Sequence, residues 1–204
     1  MESFFSLRAE KQEHIINAAL VVFGRNGYKK ASIADIAGEA GIAKGMVMYY
    51  FGSKKNLYLY LVNLCAKVVM GEIEAENGAI EREFFGRIKM VTEIKIGVMK
   101  KHPAINSFLA SVFYETDKEV LEDLEEFKNQ GFEKREQMIT EGTDVSNFKE
   151  DVDPKLLSKY LLWASKGLED EILKGGGDVL DRVDPLIEEF YALLDLLQRH
   201  LYKH

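Results

Sequence analysis

The chain has 204 residues, 47% of them hydrophobic and 30% charged, with 27 Lys and Arg against 34 Asp and Glu for a net charge of −7. That apolar content supports a packed core and excludes a disordered chain, a single cysteine, Cys65, excludes an intramolecular disulfide framework, and the lack of a long uncharged apolar run excludes a membrane-spanning helix. No apolar stretch of signal-peptide type stands at the N-terminus, so a cytoplasmic location is expected.

The first expected element covers residues 10–25, where Ile15, Ile16, Ala18, Ala19, Leu20, Val22 and Phe23 recur at helical spacing and Gly24 and Gly27 end the run. A second helix is expected from Ser32, a good N-cap, with Asp35 three residues on as a weaker stand-in for the capping-box Glu. Ile33, Ile36 and Ala37 share one face, and Gly38-Glu39-Ala40-Gly41 closes the helix, with Gly41 where the chain must visit positive φ. Ile42 restarts an apolar face that continues through Val47 and Tyr50 or Phe51. Small Ala37 and Ala40 allow two short helices to cross closely. This layout is that of a helix-turn-helix that enters the DNA major groove, with any αα-hairpin as the alternative.

Ser53 is read as the N-cap of the next helix. Lys54 and Lys55 in its first turn oppose the helix dipole, which favours anions there by about 0.3–1 kcal/mol. The pair makes sense if a phosphate docks on the helix start, and two solvated lysines are the other reading. That helix is expected to reach Glu76 and end at Asn77-Gly78. Further helices are expected from Ile80 to Lys101, from Pro103 to Tyr114, from Lys118 to Gly142, from Asp153-Pro154 to Lys174, and from Asp184-Pro185 to Tyr202. No strand alternation appears, so the fold class is all-α.

The last two segments carry more apolar residues than one stripe needs: Leu156, Leu157, Tyr160, Leu161, Leu162, Trp163, Leu168, Ile172 and Leu173 in one, and Leu186, Ile187, Phe190, Tyr191, Leu193, Leu194, Leu196, Leu197 and Leu201 in the other. Two buried faces per helix point to a homodimer through a four-helix bundle, against a deeply buried hairpin in a monomer. Gly175-Gly176-Gly177-Asp178 reads as their linker and lacks the spacing of a phosphate loop. Cys65, beside Leu61 and Leu64, reads as an inert buried thiol.

Charge is unevenly spread. Residues 1–56 hold eight basic residues (Arg8, Lys11, Arg25, Lys29, Lys30, Lys44, Lys54, Lys55) and five acidic ones (Glu2, Glu10, Glu13, Asp35, Glu39), leaving the remainder at −10. Phosphate binding needs a local positive field, and an acidic body confines DNA contact to the N-terminal end.

Residues 11–58 resemble the DNA-binding domain of the tetracycline-repressor (TetR) family. The residues that carry the likeness are Ile15, Ala18-Ala19, Phe23, Gly27-Tyr28, Ala31-Ser32-Ile33, Asp35-Ile36-Ala37, Ala40-Gly41-Ile42, Lys44-Gly45, Tyr49-Tyr50-Phe51, Lys54 and Leu57. The resemblance implies a helix-turn-helix domain over residues 1–52 and a helical effector-binding and dimerisation domain over 53–204. It implies a ligand-responsive regulator, a repressor, that binds a palindromic operator in double-stranded DNA as a dimer and is released by a small apolar effector. Phosphate contacts carry over to Ser32, Tyr49, Tyr50 and Lys54, with Lys55 beside it, and groove approach to Lys44, Gly45 and Met46. The chain departs from the family at Ala43, where a hydroxyl is usual, at Met46, often polar, and at Met48, usually Tyr. Methionine makes no directional bond to a base edge but packs against a thymine methyl.

Effector-lining candidates are Phe85, Met90, Phe108, Phe113, Tyr114 and Trp163, each of which, taken singly, reads first as plain core. Nothing in the sequence points to an enzyme, a metal or a cofactor. His200 and His204 share a face but read as solvated, as does the acidic run from Glu115 to Glu126, which lacks a calcium-loop glycine. The competing function is a helical small-molecule-binding or interaction protein with a degenerate DNA-reading helix.

Overall fold

In the computed structural model, which describes residues 1–76, 81–174 and 179–203, ten α-helices and no strand are present among the described residues. They are α1 (Glu2–Phe5), α2 (Ala9–Lys30), α3 (Ile33–Glu39), α4 (Lys44–Phe51), α5 (Lys54–Glu76), α6 (Phe84–Lys101), α7 (Pro103–Tyr114), α8 (Leu121–Thr140), α9 (Pro154–Lys174) and α10 (Val179–Leu201). The chain divides into two compact units: Met1–Gly71 with Lys101–Lys128, and Glu72–Lys100 with Asn129–His204. The boundary expected after residue 52 falls inside the first unit, because Leu57, Tyr58, Leu61 and Val62 of α5 share one core with α2, α3 and α4. Among the described residues no helix is long and apolar enough to cross a membrane.

In the first unit, α2 runs past Gly24 and breaks only at Gly27, whose φ of 67° and ψ of 178° are non-helical. Gly24 is not a stop. A Cβ there would lie 2.9 Å from Ser107 Oγ and 3.3 Å from the Phe108 amide nitrogen, so the missing side chain lets α7 cross α2 at close range. Phe23, Tyr28, Tyr58 and Phe108 fill the centre of this unit, with Tyr58 edge-on to Phe23 at 4.9 Å and to Phe108 at 5.3 Å. Glu115, just past α7, accepts the Tyr28 amide hydrogen at 2.6 Å and its own loop's Thr116 and Asp117 amides at 2.9 Å each, which ties the α7–α8 turn to the end of α2.

Helix α1 was not foreseen. Its Phe4 is fully buried and packs on Phe51 at 4.8 Å and on Tyr50 and Tyr60 at 6.0 Å each. The sequence signal is no more than the Phe4-Phe5 pair, too short to show a period.

In the second unit, Phe84, Phe85, Phe148 and Tyr202 form an aromatic cluster with centroid separations of 4.8–5.9 Å. Helix α6 begins at Phe84, where Glu83 caps it by accepting the amide hydrogens of Phe85 at 3.1 Å and Gly86 at 2.6 Å; the expected start at Ile80 lies outside the described residues. The buried Arg87 guanidinium donates to the carbonyls of Met138, Glu141 and Glu81, satisfying orphan acceptors at the end of α8, which turns at Gly142 with φ of 67°. Helices α7 and α9 span the expected residues. Helix α10 starts at Val179, before the expected Asp184-Pro185, and carries Pro185 in its interior. A proline costs a helix one hydrogen bond and some strain, and here packing, with Val183 buried just before it, outweighs that. The expected stop at Asn77-Gly78, the Gly175–Asp178 linker and His204 lie outside the described residues.

Candidate nucleic-acid interface

The interface is built on α3 and α4. Ser32 caps α3 as expected: its hydroxyl accepts the Asp35 amide hydrogen at 3.1 Å and donates to Asp35 Oδ2 at 2.7 Å, while Asp35 Oδ2 accepts the Ser32 amide hydrogen at 3.2 Å. The helix ends through Ala40 into Gly41, whose φ is 59°, and the Ile42 amide donates back to the Ala37 carbonyl at 3.0 Å. Ile36, Ala37, Ala40 and Val47 are buried at the crossing.

The burial pattern of α4 sets its outward face. Val47, Tyr50 and Phe51 point into the core, leaving Lys44, Gly45, Met46, Met48 and Tyr49 exposed. Among the described residues Tyr49 is the most exposed large apolar side chain at 67%, and Met46 and Met48 are 37% and 40% exposed. At 100° per residue, Gly45 and Tyr49 lie at the centre of this face with Met46 and Met48 on its two flanks. A Cβ on Gly45 would meet no atom within 4 Å, so nothing inside the protein requires a glycine there. Ala43, the N-cap of α4, offers no side-chain acceptor. Gly52, with φ of 76°, ends the helix, and Ser53 caps α5 by accepting the Asn56 amide hydrogen at 3.0 Å.

Three of the eight sequence-derived contact residues have other work. Tyr50 is buried, its ring 6.0 Å from that of Phe4. Lys54 donates to the carbonyls of Tyr28 at 2.9 Å and Ala31 at 3.3 Å and lies 4.1 Å above the Tyr28 ring, so its ammonium closes the C-terminal end of α2. Lys55 pairs with Asp123 at 2.8 Å, and that carboxylate raises its pKa. Each of the two lysines thus has an acceptor within the protein. Conversely, Lys29 and Lys30 stand exposed at the end of α2, immediately before the Ser32 cap. In the sequence they enter only the charge balance, because no periodic pattern marks residues beyond the Gly27 break.

The six effector-lining candidates are divided between the two units. Phe108 is core of the first unit against Phe23 and Tyr58, with Phe113 half-buried and Tyr114 exposed. Phe85 is core of the second unit against Phe84, Phe148 and Tyr202, with Met90 half-buried. Trp163 stands 50% exposed on α9, edge-on to Tyr160 at 5.2 Å with the Lys159 ammonium 5.0 Å above it. Cys65 is fully buried and burial pushes its thiol up to about 12, as expected of an inert residue. Among the described residues no group of three His, Cys, Asp or Glu is placed to hold a metal ion.

Residues 15–61 match the family described as bacterial regulatory proteins, tetR family. The HTH-type transcriptional repressor AcnR of Corynebacterium diphtheriae is 25% identical over 88% of this chain and 90% of its own length. A TetR family transcriptional regulator from Chloroflexus aurantiacus shares the fold with a TM-score of 0.76 and 21% identity, covering 100% of this chain and 99% of that one. The transcriptional regulator FadR from Bacillus subtilis, solved in complex with stearoyl-CoA, superimposes with a TM-score of 0.61 and 17% identity over 94% of this chain and 97% of that one.

Proposed function

We propose that the chain is a TetR-family regulator, which the match over residues 15–61 and the similarity to AcnR support, and that it represses transcription as a homodimer on a palindromic operator and is released by a small apolar effector. The observation that carries the DNA-binding half is α4. Its buried side locks it to α3, and its exposed side puts Lys44, Gly45, Met46, Met48 and Tyr49 together within residues 1–56, the segment with the excess of basic residues. Ser32, Lys44 and Tyr49, with Lys29 and Lys30, supply the phosphate contacts, and Gly45 lets the groove wall come up to the helix backbone. The functional division is residues 1–52 for DNA and 53–204 for effector and dimer.

Dimerisation is assigned to α9 and α10. Leu161, Leu162, Phe190 and Leu194 pack inward, while Leu156, Tyr160 and Trp163 follow one another at helical spacing on the exposed side of α9, and Leu193 and Leu196 do so on α10. These stripes match in kind the apolar centre of an isologous interface. A second copy aligns two α4 helices for two half-sites of a palindrome. The effector is assigned to the helical domain; FadR with stearoyl-CoA supports the reading that a fold of this kind accommodates a long apolar ligand. By linkage, a compound that releases DNA is bound more weakly by the DNA complex, by the same factor.

Enrichment of duplexes from a random pool, followed by binding across a salt series, tests the proposal. The expected result is a two-fold symmetric sequence and a slope of log K against log salt of about −5 or steeper, for six or more neutralised phosphates per dimer. Failure to enrich any sequence would leave a helical ligand-binding protein whose DNA-reading helix has lost its task.

A further inference from the structure

The exposed face of α4 is short of groups that read bases by hydrogen bonding. Of its outward residues, Gly45 has no side chain, Met46 and Met48 end in a thioether and a methyl with no N–H or O–H to donate, and Lys44 and Tyr49 alone carry donors. A lysine ammonium is a point charge on a flexible stem that is satisfied by phosphate as readily as by guanine, and a tyrosine hydroxyl cannot make a bidentate contact. Met46 and Met48 project from the two flanks of the helix, beside the open surface left by Gly45, and both are solvent-exposed in the free protein. Neither is needed by the core, which α4 serves through Val47, Tyr50 and Phe51. The two methionines give this face apolar groups free of any task in the core, and the major groove offers one apolar group to match them, the thymine 5-methyl.

We propose that Met46 and Met48 are specificity-determining residues that read thymine 5-methyl groups in the major groove, so that the operator is recognised more by methyl contacts than by hydrogen bonds to base edges. The inference rests on the DNA-binding reading of α4. It assigns the phosphate contacts to affinity and the two thioether side chains to sequence choice. Methionine suits the task because its unbranched, polarizable side chain adapts to a methyl group placed by the DNA and not by the protein. It also follows that the operator has thymine where α4 enters each half-site, on either strand.

The test removes methyl groups from the DNA and leaves the protein intact. Duplexes enriched by the full-length protein are resynthesised with deoxyuridine in place of thymidine, one position at a time, which keeps every hydrogen-bonding group and deletes only the 5-methyl. At one or two thymines per half-site, binding is expected to fall about fourfold for each methyl lost, the worth of one buried methylene. Met46→Ala and Met48→Ala should each abolish the thymidine-to-deoxyuridine ratio at one of those positions, while affinity for an unrelated duplex and the salt slope stay at the wild-type value. Enrichment of a defined sequence with no loss on any deoxyuridine substitution would overturn methyl reading and leave DNA binding standing. Loss on substitution that persists unchanged in both methionine variants would assign the methyl contacts to other residues and overturn it as well. If no sequence is enriched, both this inference and the proposed function fall.

Discussion

Two helical surfaces of this molecule leave large apolar side chains in solvent, and their neighbours give them different meanings. On α4, Met46 and Met48 flank an open glycine, and Lys44 and the Tyr49 hydroxyl supply polar groups to the same face. On α9 and α10, Leu156, Tyr160, Trp163, Leu193 and Leu196 form stripes that apolar packing alone would cover. The first surface is discontinuous and suits a grooved polar partner. The second is continuous and suits another protein surface of its own kind. Exposed hydrophobicity does not name a partner by itself; the spacing of the apolar groups and the charges between them do.

The contrast also extends behind the two surfaces. Helix α4 is braced by Phe4 through Tyr50 and Phe51, so its outward residues are presented on a rigid base. Phe4→Ala should break this support and give the largest effect, a loss of about 3–5 kcal/mol by the cavity cost of a buried phenylalanine, measured by denaturant unfolding. A loss under about 1 kcal/mol would mean that α1 is a removable arm. Trp163→Glu puts a charge in the centre of the other stripe. Light scattering should then report the 23.2 kDa protomer and not twice that mass, and operator affinity should drop by about 100-fold or more as the two half-sites cease to be bound together. An unchanged mass would move the interface elsewhere.

Two smaller changes separate structure from recognition on the DNA-binding side. Lys54→Met keeps the aliphatic stem over Tyr28 and removes the ammonium from the Tyr28 and Ala31 carbonyls. Stability should fall by about 1–2 kcal/mol, with the salt slope of DNA binding unchanged; a slope reduced by about one would make Lys54 a phosphate ligand after all. Gly45→Ala fills space in which a Cβ meets nothing. It should raise stability by about 0.5–1 kcal/mol through helix propensity while weakening operator binding. The opposite signs mark a residue kept for an external partner, and equal or tighter DNA binding would deny the close approach. Cys65, fully buried with its thiol pushed up to about 12, should react with a thiol reagent only as fast as the protein unfolds.

Much of the helix-turn-helix was legible because its determinants are local. The Ser32–Asp35 capping box, the positive φ at Gly41 and the outward exposure of Lys44, Gly45, Met46 and Tyr49 all follow from residues within a few positions of one another. So do the starts of α7 and α9 at Pro103 and Pro154. Where the structure supplies partners that the sequence does not show, the deciding contact is distant in sequence. Lys54 looked like a phosphate ligand because the acceptors it uses, Tyr28 and Ala31, are more than twenty residues away. Lys55 looked free because Asp123 is on another helix. Tyr50, readable both as the apolar face of α4 and as a phosphate contact, is covered by Phe4, forty-six residues away.

The amino-acid sequence by itself determined the all-helical class and the helix-turn-helix, since these depend on periodicity, caps and turns that any local stretch must satisfy. Only the tertiary structure decided that Gly24 is a crossing point and not a stop, that two of the lysines serve the protein's own carbonyls and carboxylates, and that Phe85 and Phe108 belong to the cores of different units. A side chain's chemistry is written in its own residue. Which partner satisfies it is set by what the rest of the chain brings within hydrogen-bonding or van der Waals reach.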